Sequence, residues 1–266
     1  MQSVCQYCFQ SGSVAVMIQI ENLSFTYSDE GTVSRTILDN VSLTIKPGEA
    51  VAIMGPNGSG KTTFARCLNG LLLPASGTVL IDGLDTRDQA QLPEIRRKIG
   101  MVFQNPDNQI VSATVEREIA FGLENLGVPC AEMHEIVDNM LTEFNLQHYR
   151  LHAPHYLSGG EKQRLALAAV MAMRPRYLAL DEPTSLLDPK SRADILHIIK
   201  QLHCRQNHPV TTLLITQFPD EALHADRLLV FHNGRILMDD APARVFSRVD
   251  ELLAIGLEPP LEFVLK

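Results

Sequence analysis

The chain has 266 residues, 45% of them hydrophobic and 20% charged, with a formal net charge of −8. That composition supports a packed globular core and excludes a disordered chain, and the acidic balance argues against a nucleic-acid partner, because phosphate neutralisation needs clustered Lys and Arg. No apolar run reaches the ~18 residues needed to cross a bilayer, and the opening segment lacks the charged-then-apolar layout of a signal peptide, so the expected location is the cytoplasm.

Residues 1–16 show no clean periodicity and read as an N-terminal extension. Within it Cys5 and Cys8 form a lone CxxC, a weak metal signal without a second pair or histidines. With Cys67, Cys130 and Cys204 they make an odd, irregular set, expected to be free thiols of a reducing compartment. From Met17, itself a candidate translation start, apolar and polar residues alternate up to Tyr27, as in a half-buried strand.

Further strands are expected at Val41–Ile45 and Ala50–Met54, the second an apolar run ending in Gly55-Pro56-Asn57-Gly58-Ser59-Gly60-Lys61-Thr62. This fits G-x-x-x-x-G-K-[ST]: glycines let backbone N–H groups reach phosphate oxygens, Lys61 contacts the β and γ phosphates, and the Thr62 hydroxyl ligates Mg2+. A helix is expected over Lys61–Asn69, its positive end on the anion, with Thr63 completing the nucleotide-binding set. Strands follow at Val79–Ile81 and Gly100–Phe103, with Gln104 just beyond. The apolar spacing is helical throughout from Thr114 to Arg150, inside a helical insertion of about 105–175.

Ser158 is a plausible N-cap for the helix opening at Gly159-Gly160. The buried strand Tyr177–Leu180 runs into Asp181 and Glu182, where open α/β sheets place their ligands. There Asp181 is expected to hold Mg2+ and Glu182 to polarise the attacking water. Strands at Thr211–Ile215 and Leu228–Phe231 complete an α/β chain with a mostly parallel sheet.

Ser158-Gly159-Gly160-Glu161-Lys162-Gln163 resembles the signature motif of ATP-binding cassette proteins, at the distance before Asp181 that this family shows. The resemblance extends from Met17 to about Pro260. It implies a P-loop NTPase core with an antiparallel β subdomain and the inserted helical subdomain, a cassette domain over 17–248 and a short C-terminal segment over 249–266. It further implies an ATPase using ATP and Mg2+, in which Ser158, Gly159 and Gly160 reach the γ-phosphate of ATP held by a second ATPase subunit.

By the same resemblance Tyr27 stacks on adenine, the alternative being ordinary packing. Gln104 senses Mg2+ or water, and Asp188 couples the two sites of a dimer unless it is only a helix N-cap. The family's switch histidine is replaced by Gln217, which can donate a hydrogen bond but carries no charge. That departure leaves two readings: an ATP-hydrolysing subunit, or a nucleotide-binding regulatory subunit whose site turns over slowly. Met101–Ile110, Val115–Asn125 and Pro242–Leu257 resemble energy-coupling factor ATPases, which serve vitamin and transition-metal uptake. The implied partners are a second ATPase, a transmembrane coupling subunit and a substrate-binding membrane subunit, with this chain peripheral on the cytoplasmic face. A cassette working on nucleic acid would need a second cassette, coiled-coil arms or basic extensions, and no such feature occurs in the sequence.

Overall fold

The structure is a computed structural model describing residues 16–27, 35–205 and 209–265, so the Cys5–Cys8 pair and most of the N-terminal extension lie outside the described residues. It opens with an antiparallel pair, β1 (Ile18–Tyr27) and β2 (Arg35–Ile45). The expected strand at Val41–Ile45 is only the second half of β2. The first half was illegible because its burial does not alternate and the backbone turns left-handed at Asn40, φ 55°.

Next come β3 (Ala50–Met54), α1 (Lys61–Leu68), β4 (Ser76–Ile81), the two-residue β5 (Leu84–Asp85), α2 (Leu92–Lys98) and β6 (Ile99–Val102). The helical region holds α3 (Val115–Asn125), α4 (Cys130–Glu143) and α5 (Gly159–Ala172), with short 3-10 turns at Pro106–Asn108, Gln147–Tyr149 and Pro154–Tyr156. The stretch expected to be helical from Thr114 to Arg150 holds two of these helices, α3 and α4. Gly127 adopts φ 68°, a left-handed turn, and Pro129 caps α4 in an extended conformation that no helix continues through.

The chain continues through β7 (Tyr177–Asp181), α6 (Pro189–His203), β8 (Thr211–Ile215), α7 (Pro219–Ala222), β9 (Arg227–His232) and β10 (Arg235–Asp240). It closes with α8 (Pro242–Phe246), α9 (Val249–Ala254) and α10 (Leu261–Val264).

Two sheets form. The smaller is antiparallel, in the order β2-β1-β4-β5; the larger runs β10-β9-β3-β8-β7-β6 and is parallel except for the hairpin strand β10. Strands β6, β7 and β8 are buried at every position, which is why they read as uninterrupted apolar runs. One core lies between the two sheets around Phe64 and Phe231, a second between the large sheet and α3–α6, and a third under α8 and α9.

A buried polar anchor joins the sheets. Tyr177, fully buried in β7, donates its hydroxyl to Asp82 Oδ1 at 2.6 Å, while Lys98 Nζ and Arg176 Nη1 reach Asp82 Oδ2 at 3.1 and 3.2 Å. Burial, then the bond to Asp82, pushes the Tyr177 hydroxyl far above its ordinary pKa, so it remains a donor.

Candidate functional site

The strand order alone assembles the site. Strands β3, β8, β7 and β6 are neighbours and run parallel, so their C-terminal ends share one edge. The segments leaving those ends are the Gly55 loop, Thr216-Gln217, Asp181-Glu182 and Phe103-Gln104. Residues up to 162 positions apart in sequence, from Gly55 to Gln217, meet because a parallel sheet exposes its chemistry at that edge.

The glycine-rich loop turns back at Gly55, whose φ is 154°; a β-carbon there would lie 2.3 Å from the Phe231 carbonyl oxygen. Among the described residues the buried Ser59 hydroxyl has no hydrogen-bond partner. Gly60 precedes α1 at φ 105° and makes no side-chain cap, so the first-turn N–H groups point into the loop's concavity. Lys61 Nζ donates to the carbonyl oxygens of Gly55 at 2.7 Å and Pro56 at 3.1 Å, spanning the loop. Burial lowers the Lys61 pKa, opposed by Glu182 and Asp181. Thr63 has a buried side chain, so what it offers an anion is its backbone N–H.

Thr62 Oγ1 donates to Asp181 Oδ1 at 3.0 Å, joining the first turn of α1 to the end of β7. Asp181 is 5% exposed, and burial raises its pKa against the Thr62 hydrogen bond and the charges of Arg66 and Lys61. Glu182, the next residue, has φ 49°, a left-handed conformation uncommon for a side chain of this size. Its N–H donates to the Ile215 carbonyl at 3.0 Å. Burial raises the Glu182 pKa; Lys61 opposes the rise, and Asp181 and Glu221 add to it. Gln104 donates its amide to Glu182 Oε2 and to Ser185 Oγ, each at 3.1 Å. Sequence reasoning had assigned Ser185 no role; its signal was its place three residues after Glu182, where one turn brings its hydroxyl back to the Glu182 carbonyl at 3.1 Å.

Ser158 and Glu161 form a reciprocal capping box on α5: the Ser158 hydroxyl accepts from the Glu161 N–H, and the Glu161 carboxylate accepts from the Ser158 N–H at 2.8 Å. Tyr149 donates to the same carboxylate at 2.5 Å. Ser158 and Gly159 are exposed, and Gly160 is buried where a β-carbon would lie 2.7 Å from Ser191 Cβ. Asp188 caps α6, accepting from the N–H groups of Lys190 and Ser191 at 3.0 and 3.1 Å. Among the described residues the Ser158 side chain bonds only to Glu161.

Tyr27 packs edge-on against Phe25, ring centroids 4.9 Å apart, and remains 42% exposed. Gln217 is exposed and lines a cleft of about 570 Å³ with Gly55, Pro56 and Asn57, closed on the far side by residues 256–261. The three described cysteines are free: Cys67 buried, Cys130 and Cys204 exposed.

A model of the family described as ABC transporter matches residues 38–185. An energy-coupling factor transporter ATP-binding protein, EcfA1 of Clostridium perfringens, is 46% identical over 245 residues, 92% of this chain and 86% of that protein. Among solved structures, cbiO1 from Clostridium perfringens, described as part of the ABC transporter complex cbiONQ, superposes with a TM-score of 0.78 at 33% identity, covering 94% of this chain and 98% of that one. A dimeric ATP-binding cassette in a post-hydrolysis state bound to ADP and Pi superposes with a TM-score of 0.77 at 31% identity, covering 85% of this chain and 99% of that one.

Proposed function

This chain belongs to the ATP-binding cassette transporter family, within its energy-coupling factor ATPases, and from that premise we propose how its residues divide the work of ATP hydrolysis. Gly55 to Thr63 cradle the phosphates, with Lys61 on the β and γ groups and Tyr27 on the base. The observation that carries this reading is the Thr62–Asp181 hydrogen bond, which sets a hydroxyl and a carboxylate side by side where a triphosphate enters. These are hard oxygen donors of the kind Mg2+ selects, and together with Gln104 they would hold that ion. Bound there, Mg2+ would offset charge on the phosphate oxygens.

Glu182 takes the proton of the attacking water as its oxygen bonds to the γ-phosphorus and the bond to the bridging oxygen breaks, leaving ADP and Pi. Gln104 orients that carboxylate and reports on the loop that follows β6. Gln217 donates its amide to the γ-phosphate. The exposed Ser158 and Gly159, with the buried Gly160 behind them at the capped start of α5, act on nucleotide held by a second ATPase, with Asp188 beside that contact. The dimeric, ADP- and Pi-bound relative supports this division between two chains.

The pair serves an importer of the energy-coupling factor type, docked on the cytoplasmic face of a transmembrane coupling subunit that joins a substrate-binding membrane subunit. Among the described residues no helix is long and apolar enough to cross a membrane. The relative described as part of the cbiONQ complex supports that assembly. The alternative, a slow regulatory site caused by Gln217, draws no support from the site or from the relatives.

The test is affinity purification of the tagged chain from its native membranes, followed by ATP turnover of what is recovered. Membrane subunits of an importer together with hydrolysis lost on Glu182→Gln are expected. Recovery of soluble nucleic-acid-binding proteins alone would overturn the assignment.

A further inference from the structure

Behind Gln217 lies a buried polar cluster that the reaction as described does not use. The Glu221 side chain is fully buried in α7. Its Oε1 accepts from Thr184 Oγ1 and from Arg192 Nε, each at 2.7 Å, and its Oε2 accepts from Thr216 Oγ1 at 2.5 Å. A buried carboxylate is tolerated when its lone pairs are met and a cation faces it, and both conditions hold here. For stability alone, an apolar group of the same shape serves as well as a buried ion pair. What this cluster adds is direction.

Each partner stands at a junction of the site. Thr184 lies two residues after Glu182, Thr216 immediately before Gln217, and Arg192 one turn into α6, its N–H bonded to the Asp188 carbonyl at 2.9 Å. Phe218, immediately after Gln217, is held at three points. Its N–H donates to Thr216 Oγ1 at 3.0 Å, and the Arg192 guanidinium carbon sits 3.6 Å over its ring. The Glu221 N–H donates to the Phe218 carbonyl at 3.2 Å. Thr216 is therefore bonded to the Glu221 carboxylate directly and Phe218 is tied to it through Thr216 and Arg192, while Gln217 itself lines the cleft beside Gly55.

We propose that Glu221 is a positioning residue for the switch side chain: through Thr216, Phe218 and Arg192 it sets the direction of Gln217 relative to Glu182 and to the Asp188 segment. The proposal rests on the reading of Gln217 as a γ-phosphate contact. The segment Asp220-Glu221-Ala222 thereby gains a task beyond starting a short helix. Because Arg192 and Asp188 share the first turns of α6, movement of the segment that faces the second ATPase is transmitted to the switch side chain through this carboxylate.

The test is a double-mutant cycle on ATP turnover by the assembled complex, with natural chain, Glu221→Gln, Gln217→Ala and the double variant. Glu221→Gln keeps the volume but gives up a charge and an acceptor. It is expected to lower kcat about tenfold with KM for ATP within about twofold of natural, and to cause no further loss in the Gln217→Ala background. Losses that multiply, or a fall in kcat matched by a rise in KM, would overturn the role of Glu221 while leaving Gln217 in place. An unchanged kcat for Gln217→Ala would sink the switch reading itself and the proposal with it. Should Glu221→Gln fail to fold, Arg192→Lys keeps the ion pair, removes the planar contact with Phe218, and carries the same expectation.

Discussion

Gln104 and Glu182 touch: the amide nitrogen of the first lies 3.1 Å from Oε2 of the second and equally near Ser185 Oγ, so one side chain ties the loop after β6 to the carboxylate after β7. A donor to a carboxylate favours its charged form, the form a general base needs. The position of a surface loop and the basicity of Glu182, the proposed general base, are thus one variable.

Gln104→Ala should lower kcat about tenfold, near what a hydrogen bond to a charged group contributes, with a smaller effect on ATP affinity. The pH profile gives the sharper check. Burial already raises the Glu182 pKa, and loss of a hydrogen-bond donor to the carboxylate is expected to raise it further. The acid limb of kcat against pH should therefore move to higher pH in the variant, and an unmoved limb would dissociate Gln104 from the base.

Glu182→Gln should reduce turnover by roughly 10²- to 10⁴-fold while nucleotide binding survives, the loss expected when a general base is removed. It should also make the nucleotide-free protein more heat-resistant at neutral pH. The sign follows from the raised folded-state pKa: the folded chain binds the proton more tightly than the unfolded one, so stability falls as pH rises from the unfolded value through the folded one. The amide has no such penalty. Thermal unfolding across pH should show the two proteins converging on the acid side of that window.

Gly160→Ala is expected to cost about 1–3 kcal/mol, because the added carbon meets Ser191 Cβ at 2.7 Å between α5 and α6. The clash is with Cβ as well as the hydroxyl. Ser191→Ala should therefore fail to restore stability, and Ser191→Gly should recover most of it. Denaturant midpoints of the three variants decide this.

Tyr177→Phe should destabilise the chain by about 1–3 kcal/mol, the cost of leaving a buried acceptor short of a partner. Asp82 retains Lys98 and Arg176, which keeps the effect toward the lower end. Equilibrium unfolding measures it, and a neutral result would show that the anchor between the sheets does not depend on the phenol.

The glycine-rich turn between β3 and α1, the strand ending at Asp181 and the capping role of Ser158 were legible in the sequence because each is local: glycine spacing, an apolar strand ending in acid, a capping residue before a helix. The parallel strands were legible because both faces are buried. The short strand β5 and the hairpin strand β10 escaped for the converse reason, being brief or half-exposed. The break at Gly127 to Pro129 lies between two stretches of strong apolar spacing, which mark the region as helical without dividing it into separate helices. What joins the site together was also hidden. The bonds from Thr62 to Asp181 and from Glu221 to Arg192 cross 119 and 29 positions, and no local period announces them.

The left-handed backbone at Glu182 carries a different kind of information. A side-chain-bearing residue in that conformation costs about 1–2 kcal/mol, which glycine would not incur. A library of this protein screened only for survival of heat would be drawn to replace Glu182, gaining from the backbone and from the lost buried charge alike. With Glu182 as the proposed general base, its winners are expected to grip nucleotide and do no work, so a thermostability campaign on this scaffold has to select for turnover at the same time.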